Sequence, residues 1–190
     1  VFGEPKVWLL AVTYAFFLMG LYGVSFWLPS LIKSAGVKDP LDVGLLTAIP
    51  YTAGVIGMLL TGRHSDRQRE RKWHLAIPGV LGALGLVLST AVVNSPALAI
   101  ASLTLGAAGV CTTVSQFWNL PPAFLAGVAA AAGIAFVNSV GNISGFVAPY
   151  LVGWIKDTTG STNPAVWVIA ASMTIASVLV FLVPSRLVNK

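Results

Sequence analysis

The chain has 190 residues, of which 56% are hydrophobic and only 9% are charged, and its formal net charge is +5. Soluble domains carry roughly 25% charged residues, so a water-soluble globule of this length would lack the charge to cover its surface. Five of the eleven basic residues lie in one short stretch, 63–72, between two apolar runs. This clustering argues against nucleic-acid binding and favours a protein embedded in a lipid bilayer.

Six apolar segments are long enough to cross a hydrocarbon core of about 30 Å, which takes roughly 20 helical residues. The sequence predicts spans at about 7–31, 43–61, 75–93, 97–118, 126–155 and 164–183. Pro96 and the pair Pro121-Pro122 mark two of the breaks, because proline cannot continue a helix. We therefore predict an all-α membrane protein, a single six-helix transmembrane bundle over residues 1–190 with a cytoplasmic loop at 62–74.

Basic residues are unequally divided between the two predicted sides of the membrane. Eight lie on the side of both termini, namely Lys6, the five in 63–72, Arg186 and Lys190. Only Lys33, Lys38 and Lys156 lie on the other side. The positive-inside rule then places both termini and the loop in the cytoplasm, and we expect a multi-pass protein of a cell membrane, a bacterial inner membrane in particular.

Neutral polar side chains occur within four spans, whereas the middle of every span lacks Asp, Glu, Lys and Arg. Ionisable groups inside a membrane usually mark ion or proton pathways, so any such group is expected elsewhere. The neutral candidates are Tyr14, Tyr22, Ser25 and Trp27 in the first span, Tyr51 and Thr52 in the second, Ser115, Gln116, Trp118 and Asn119 at the end of the fourth, and Asn138, Ser139, Asn142 and Ser144 in the fifth. An uncharged cavity with aromatic walls suits a hydroxylated small molecule.

Several of these residues have an alternative role in helix packing. Asn142 shares a helix face with Asn138 at i, i+4 spacing, yet an intramembrane Asn also joins helices by hydrogen bonds. Gly141 and Gly145 form a small-xxx-small pair that allows close approach of another helix. Trp118 lies near a predicted span end, where tryptophan also serves as an interfacial anchor.

The segment 62–72, reading GRHSDRQRERK, is the most distinctive of the chain. It acts at least as an orientation signal, as any basic loop does. A second interpretation is a gate, in which Asp66 at a helix end pairs with a cation or with a neighbouring helix N-terminus and holds one conformation closed.

This segment resembles the signature of the major facilitator superfamily, found between its second and third helices and again between its eighth and ninth. Gly62, Asp66, Arg67 and Arg71 fit that pattern. Arg69 stands where the signature usually has a glycine. The resemblance implies twelve helices in two six-helix halves around a central cavity, with the substrate near the midplane.

Further segments resemble the anion:cation symporter family, whose members include carriers of sugar acids, tartrate and phthalate-like anions. They are Tyr22-Gly23 with 26–29, the loop 62–74, the run 117–121, and 133–160, reading GIAFVNSVGNISGFVAPYLVGWIKDTTG. The resemblance implies that the chain is the carboxy-terminal half, helices seven to twelve. It also implies substrate contacts at Ser115, Trp118 and Asn138, with Gln116 and Tyr22 from the same neighbourhoods.

The function that the resemblance implies is proton-coupled symport of a small organic anion, a sugar acid or similar carboxylate, by alternating access. The expected partners are that anion, a coupling proton or sodium in its place, the lipid bilayer and a missing amino-terminal half that carries the family's carboxylates and anion-binding arginine. No cofactor and no nucleic acid are expected. The alternatives are a truncated or structural membrane subunit without transport of its own, and an intramembrane hydrolase, for which the sequence has no Gly-x-Ser-x-Gly or His-Glu-x-x-His motif.

Overall fold

The computed structural model describes residues 3–92, 95–123, 125 and 127–188. They form eight helices: α1 (Pro5–Ser34), α2 (Pro40–Gln68), α3 (Lys72–Ala91), α4 (Pro96–Phe117), α5 (Gly127–Asn142), α6 (Ser144–Thr159), α7 (Asn163–Leu179) and α8 (Ser185–Val188). Short 3-10 turns follow α4 at Pro121–Ala123 and α7 at Val180–Leu182. The predicted span ends at 93 and 126, and Lys190, lie outside the described residues, as does the side chain of Arg186.

Among the described residues, six helical stretches are long and apolar enough to cross a membrane, which confirms the predicted all-α, six-span architecture. Prolines define several of their starts: Pro5, Pro40 and Pro96 each occupy the first helical position. Proline is preorganised there and its missing N–H costs nothing. At the start of α2, the side chain of Asp39 also accepts a hydrogen bond of 2.7 Å from the backbone N–H of Leu41.

The predicted loop 62–74 is too long. Residues 62–68 form the last turns of α2, and α3 begins at Lys72, so only 69–71 separate the two helices. The helix was predicted to end where the charges begin, whereas the 29 residues of α2 extend about 43 Å, more than the thickness of a hydrocarbon core of about 30 Å. Arg63, Asp66 and Arg67 therefore belong to the last turns of α2.

Arg69 ends α2 in the left-handed conformation, with φ of 50° and ψ of 33°. Its N–H bonds to the carbonyl of Ser65, as in a helix-terminating turn. Glycine is the usual residue at such a position because it lacks the Cβ that crowds the backbone. Arg69 thus adopts a conformation typical of glycine at the position where the signature usually has a glycine.

The fifth span consists of two helices, because regular α-helical bonding is interrupted at Ile143 between α5 and α6. The N–H groups of Ile143 and Phe146 make short-range i to i−3 bonds of 3.3 and 3.0 Å to Val140 and Ile143. Such bonds tighten the chain locally. The break lies between the two glycines of the small-xxx-small pair, Gly141 and Gly145, and directly follows Asn142.

The bundle core has two layers along the membrane normal. One contains the second half of α1, Val24 to Ile32, with the facing parts of α3, α4, α6 and α7. The other contains the first half of α1, Val7 to Leu18, with the starts of α3, the end of α4 and the end of α7. Helix α1 lies centrally and packs against α4, α5, α6 and α7, while α4 packs against α2 and α3.

Candidate functional site

Two spans leave most of their surface uncovered. Of the apolar window in each span, only 17% of residues are buried in α2 and 22% in the α5–α6 span, against 44–56% in the other four. Helix α1 contacts both of these spans, α2 as well as α5 and α6. We call the surface formed by α1, the end of α4 and α5 between these spans the open face.

An aromatic cluster joins three helices beneath the open face. Tyr14 of α1 stacks on Phe117 at the end of α4, with ring centroids 4.5 Å apart, and meets Trp118 edge-on at 4.9 Å. On its other side the ring of Tyr14 packs against Gly141 of α5, where any Cβ would lie 2.9 Å from Tyr14 Cε1. Tyr14 therefore connects the predicted substrate-binding residue Trp118 to the helix that carries Asn138.

A chain of three polar side chains runs along the open face. The hydroxyl of Tyr22 donates to Oδ1 of Asn142 over 2.6 Å. Nδ2 of Asn142 donates to the backbone carbonyl of Asn138 over 2.8 Å and to its Oδ1 over 3.0 Å. The ring of Tyr22 packs on Gly145, whose hypothetical Cβ would lie 3.2 Å from it. The structure thus brings the predicted residues Tyr22 and Asn138 together through Asn142.

The polar residues Ser115 and Gln116 near the end of α4 differ in their exposure. Ser115 is exposed, one turn before Trp118. Gln116 is buried with 5% exposure; its Oε1 accepts from Asn119 over 3.1 Å and its Nε2 lies beside Gly62 of α2. Gln116 therefore packs between α4 and α2 rather than on the open face.

Asn142 is the residue whose role the sequence left undecided between helix packing and ligand contact. The i, i+4 spacing from Asn138 was the available signal, because it places both amides on one helix face. The partner Tyr22 lies 120 residues away in the chain, so no local pattern indicates it.

The open face is electrically neutral. The sequence has no Asp, Glu, Lys or Arg between Trp73 and Ile155, nor in 7–32 or 43–62. Within the described part of the chain, no group of three or more His, Cys, Asp and Glu side chains is arranged to hold a metal ion. Hydrogen bonding and aromatic contact are therefore what this surface offers to a ligand.

The turn between α2 and α3 is held by a compact charged network. Arg71 forms an ion pair of 2.5 Å with Asp66 and donates to Oγ of Ser65 over 3.1 Å. Oγ of Ser65 in turn donates to the carbonyl of Glu70 over 2.6 Å. Asp66 thus pairs with a cation, as its position at the helix end suggested, while Arg67 is exposed in the last turn of α2.

Glu70 and two histidines extend this network to α3. The Glu70 carboxylate accepts from the N–H groups of Lys72 and Trp73 at the helix start, over 2.9 Å each. It also contacts Nδ1 of His74 at 3.0 Å, and Nε2 of His74 lies 2.6 Å from Nδ1 of His64. If Nδ1 of a neutral His74 donates to Glu70, its Nε2 accepts from His64. This arrangement ties α2 to α3 at one end of the bundle.

Lys72 connects the same turn to the end of the last span. Its ammonium group donates to the carbonyls of Phe181 and Val183 over 2.9 and 2.6 Å and to Oγ of Ser185 over 3.1 Å. The residue is only 6% exposed. A cation at these carbonyls satisfies groups that the ending helix leaves without partners.

Comparison with known proteins identifies relatives over the whole chain. The chain is 40% identical over 189 residues to a putative metabolite transport protein, NicT, of Pseudomonas putida, covering 100% of this chain and 43% of the relative. It is 41% identical over 183 residues to a putative tartrate transporter of Agrobacterium vitis, covering 96% of this chain and 42% of the relative. It is 37% identical over 184 residues to a quinolone resistance transporter of Acinetobacter baumannii, covering 97% and 42%.

The chain therefore spans less than half the length of the curated relatives that it matches. These relatives are named as transporters, which agrees with the expectation that the chain is not an enzyme. The sequence model of the Major Facilitator Superfamily matches residues 1–149. With six described helices capable of crossing a membrane, the chain is a multi-pass membrane protein and belongs to the major facilitator superfamily.

Proposed function

We propose that this chain is the carboxy-terminal half of a proton-coupled symporter that moves a small organic anion across a bacterial inner membrane by alternating access. The observation that carries the proposal is the open face, where Tyr22, Asn142 and Asn138 form a hydrogen-bonded chain on the least covered side of a six-span bundle. A second six-helix half placed against α2 and the α5–α6 span would convert this face into the wall of a cavity.

The chemistry of the open face supports a polar organic substrate. Amide and hydroxyl groups recognise carboxylate and hydroxyl oxygens, and aromatic rings line the nonpolar part of such a ligand. The relatives include proteins named for the transport of tartrate and of a metabolite, which supports a small carboxylate. The proposed substrate contacts are Asn138, Tyr22, Trp118 and Ser115. Gln116 supports them from its buried position between α4 and α2.

Coupling to protons requires a group that changes its charge during transport, and the apolar stretches 7–32, 43–62 and from Trp73 to Ile155 contain no carboxylate. We therefore place the protonatable carboxylate, and a cation for the anionic substrate, in the missing amino-terminal half. A sodium ion in place of the proton is distinguished by the dependence of uptake on the two ion gradients.

The turn network is the proposed gate of the cytoplasmic side. Gly62 allows α2 to approach Gln116 of α4, and Asp66 and Arg71 close the turn through their ion pair. Alternating access needs contacts that break and re-form between two conformations. An ion pair outside the hydrocarbon suits this role because water can solvate both partners when it opens, and Arg67 is the exposed cation beside it.

The test is uptake of radiolabelled sugar acids, tartrate and aromatic acids into cells that express this chain with, and without, the coding sequence upstream of it. We expect uptake only with a second six-helix half, abolished by a protonophore and unaffected by replacing sodium with choline. Asn138→Ala should reduce uptake about tenfold, the effect of one or two lost hydrogen bonds.

A second candidate function is a structural membrane subunit without transport, which is favoured by the lack of Asp, Glu, Lys and Arg in 7–32, in 43–62 and between Trp73 and Ile155. Absence of uptake of every acid by the pair of halves, with membrane insertion confirmed, would support this candidate instead. Accessibility of single cysteines placed near the two ends of α1 tests the proposed cytoplasmic orientation separately.

A further inference from the structure

We infer that Asn142 is a positioning residue that sets the hydrogen-bond polarity of the open face, so that the face selects carboxylates that carry a hydroxyl group. This inference rests on the proposed function, since it concerns which organic anion the same face binds. It follows from the hydrogen bonds that join the backbone carbonyl of Asn138 to the side chains of Asn142, Tyr22 and Asn138.

The orientation of the Asn142 amide is determined by the backbone carbonyl of Asn138. A carbonyl oxygen only accepts hydrogen bonds, so the Asn142 atom 2.8 Å from it must be the nitrogen Nδ2. The opposite orientation would place two acceptor oxygens against each other. Oδ1 of Asn142 consequently faces the hydroxyl of Tyr22 at 2.6 Å.

This orientation determines what Tyr22 can offer to a ligand. A phenol has one hydrogen, and the hydroxyl of Tyr22 donates it to Oδ1 of Asn142. The remaining lone pairs of the phenol oxygen can only accept. In the part of the chain that the structure describes, no other hydrogen bond involves this oxygen. Tyr22 therefore presents an acceptor, which matches a hydroxyl group and repels a bare carboxylate.

The same orientation determines what Asn138 can offer. Nδ2 of Asn142 also donates to the side chain of Asn138 over 3.0 Å, so Asn138 must turn its Oδ1 toward it. The Nδ2 of Asn138, with two N–H groups, then points away from this contact. It has no acceptor among the described side chains and backbone groups, and the residue is exposed. Asn138 therefore presents donors, which match a carboxylate.

Donors at Asn138 and an acceptor at Tyr22, bridged by one amide, favour a ligand with a carboxylate near a hydroxyl. A ligand with a carboxylate but no hydroxyl group can accept hydrogen bonds from Asn138. It leaves the phenol oxygen of Tyr22 facing another oxygen or an apolar group, without a hydrogen-bond donor. A site that hydrogen-bonds a substrate hydroxyl discriminates against the analogue that lacks it, because its own polar group is then left unpaired. Hydroxy acids are thus favoured over simple dicarboxylic and aromatic acids.

The test compares tartrate, malate and succinate, which differ only in having two, one and no hydroxyl groups, together with gluconate, hexanoate and phthalate. Uptake is measured with this chain expressed together with the coding sequence upstream of it. The quantity compared is the ratio of kcat/KM for the best hydroxylated acid to that for its deoxy analogue, within each variant. This ratio does not depend on how much folded carrier each cell contains.

We expect the wild-type ratio to be about tenfold or more, in keeping with the loss of one good hydrogen bond. Tyr22→Phe removes the acceptor and should bring the ratio close to one. Asn142→Leu leaves Tyr22 and Asn138 free to rotate and should have the same effect although it touches no substrate. Tyr150→Phe, which removes a hydroxyl from an exposed tyrosine of α6, is the matched control and should leave the ratio unchanged.

The variant Asn142→Asp distinguishes a role of residue 142 in orienting Tyr22 and Asn138 from a role in helix packing alone. Its carboxylate still accepts from Tyr22 but cannot donate to Asn138, which would turn its own nitrogen inward to reach it. The hydroxyl preference should survive in this variant while KM for the acid rises about tenfold, because Asn138 then presents an oxygen to the carboxylate.

A wild-type carrier that takes up succinate, hexanoate or phthalate as well as their hydroxylated counterparts overturns the inference and leaves the proposed function standing. A hydroxyl preference that persists in both Tyr22→Phe and Asn142→Leu does the same. No uptake of any acid by the wild-type pair of halves overturns the proposed function, and the inference with it.

Discussion

Two of the glycine-rich contacts between described helices differ in what faces each glycine. Between α3 and α4, Gly82 and Gly85 face Gly106 and Gly109, and backbone lies directly on backbone. Where α1 meets α5 and α6, Gly141 and Gly145 face the rings of Tyr14 and Tyr22. The first contact is rigid because backbone atoms cannot move aside. The second can adjust by rotation of a side chain, and it is the one that supports the polar residues of the open face.

The largest effect is expected for Gly109→Ala. The added methyl group would lie 2.5 Å from the Cα of Gly82 and beside the carbonyl of Pro78, and no rotamer change relieves a clash with backbone. We expect a loss of about 3 kcal/mol or more in the free energy of unfolding, at the upper end of overpacking effects. Thermal stability of the purified carrier in detergent measures it.

Gly44→Ala is the matched control, because the space around Gly44 of α2 is open within 4 Å. Alanine there should stabilise the helix slightly, by up to about 1 kcal/mol. Equal losses for both substitutions would contradict the view that the α3–α4 contact depends on backbone approach.

An intermediate effect is expected for Gly141→Ala, whose methyl group would press on the ring of Tyr14. We expect a loss of about 1–3 kcal/mol. The decisive measurement is the double variant Gly141→Ala with Tyr14→Leu, in which the smaller, flexible side chain makes room. The two changes should together cost less than the sum of their separate effects. Strict additivity would show that Tyr14 is not the obstacle.

The smallest effect on stability is expected for Gly145→Ala. Its methyl group would lie 3.2 Å from the ring of Tyr22, a distance that a small ring movement relieves. Stability should change by less than about 1 kcal/mol. Because that movement displaces the Tyr22 hydroxyl from Asn142, the KM for substrate should rise severalfold instead. A change in melting temperature without a change in KM would contradict this division between packing and binding.

The six spans were predictable from the sequence because the lipid bilayer determines which apolar segments form them. Long apolar runs without charges can only be membrane helices, and turn prolines such as Pro96 and Pro121 separate them. The end of α2 was not predictable in the same way. Hydropathy reports where a helix leaves the hydrocarbon, whereas the helix itself ends at Arg69 through a backbone conformation that glycine usually adopts.

The sequence allowed us to predict which polar residues belong to the candidate site, but not which of them form hydrogen bonds with one another. Tyr22 and Asn138 were both identifiable as polar residues within apolar spans. The hydrogen bond that joins α1 to Asn142 crosses 120 residues, and only packing of the helices produces it. Gln116 shows the converse case: it is two residues from Trp118, but the helix rotation turns it toward Gly62 and away from the open face.

The hydrogen bonds of Lys72 bear on the order in which parts of the protein come together. Its ammonium group binds carbonyls that lie 109 and 111 residues later in the chain. A growing polypeptide delivers the turn between α2 and α3 to the membrane surface long before those carbonyls exist, so the ammonium must keep water as its partner until α7 is inserted. A chain that ends before residue 181 lacks both carbonyls, so its Lys72 would stay hydrated instead of joining the turn to the end of the last span.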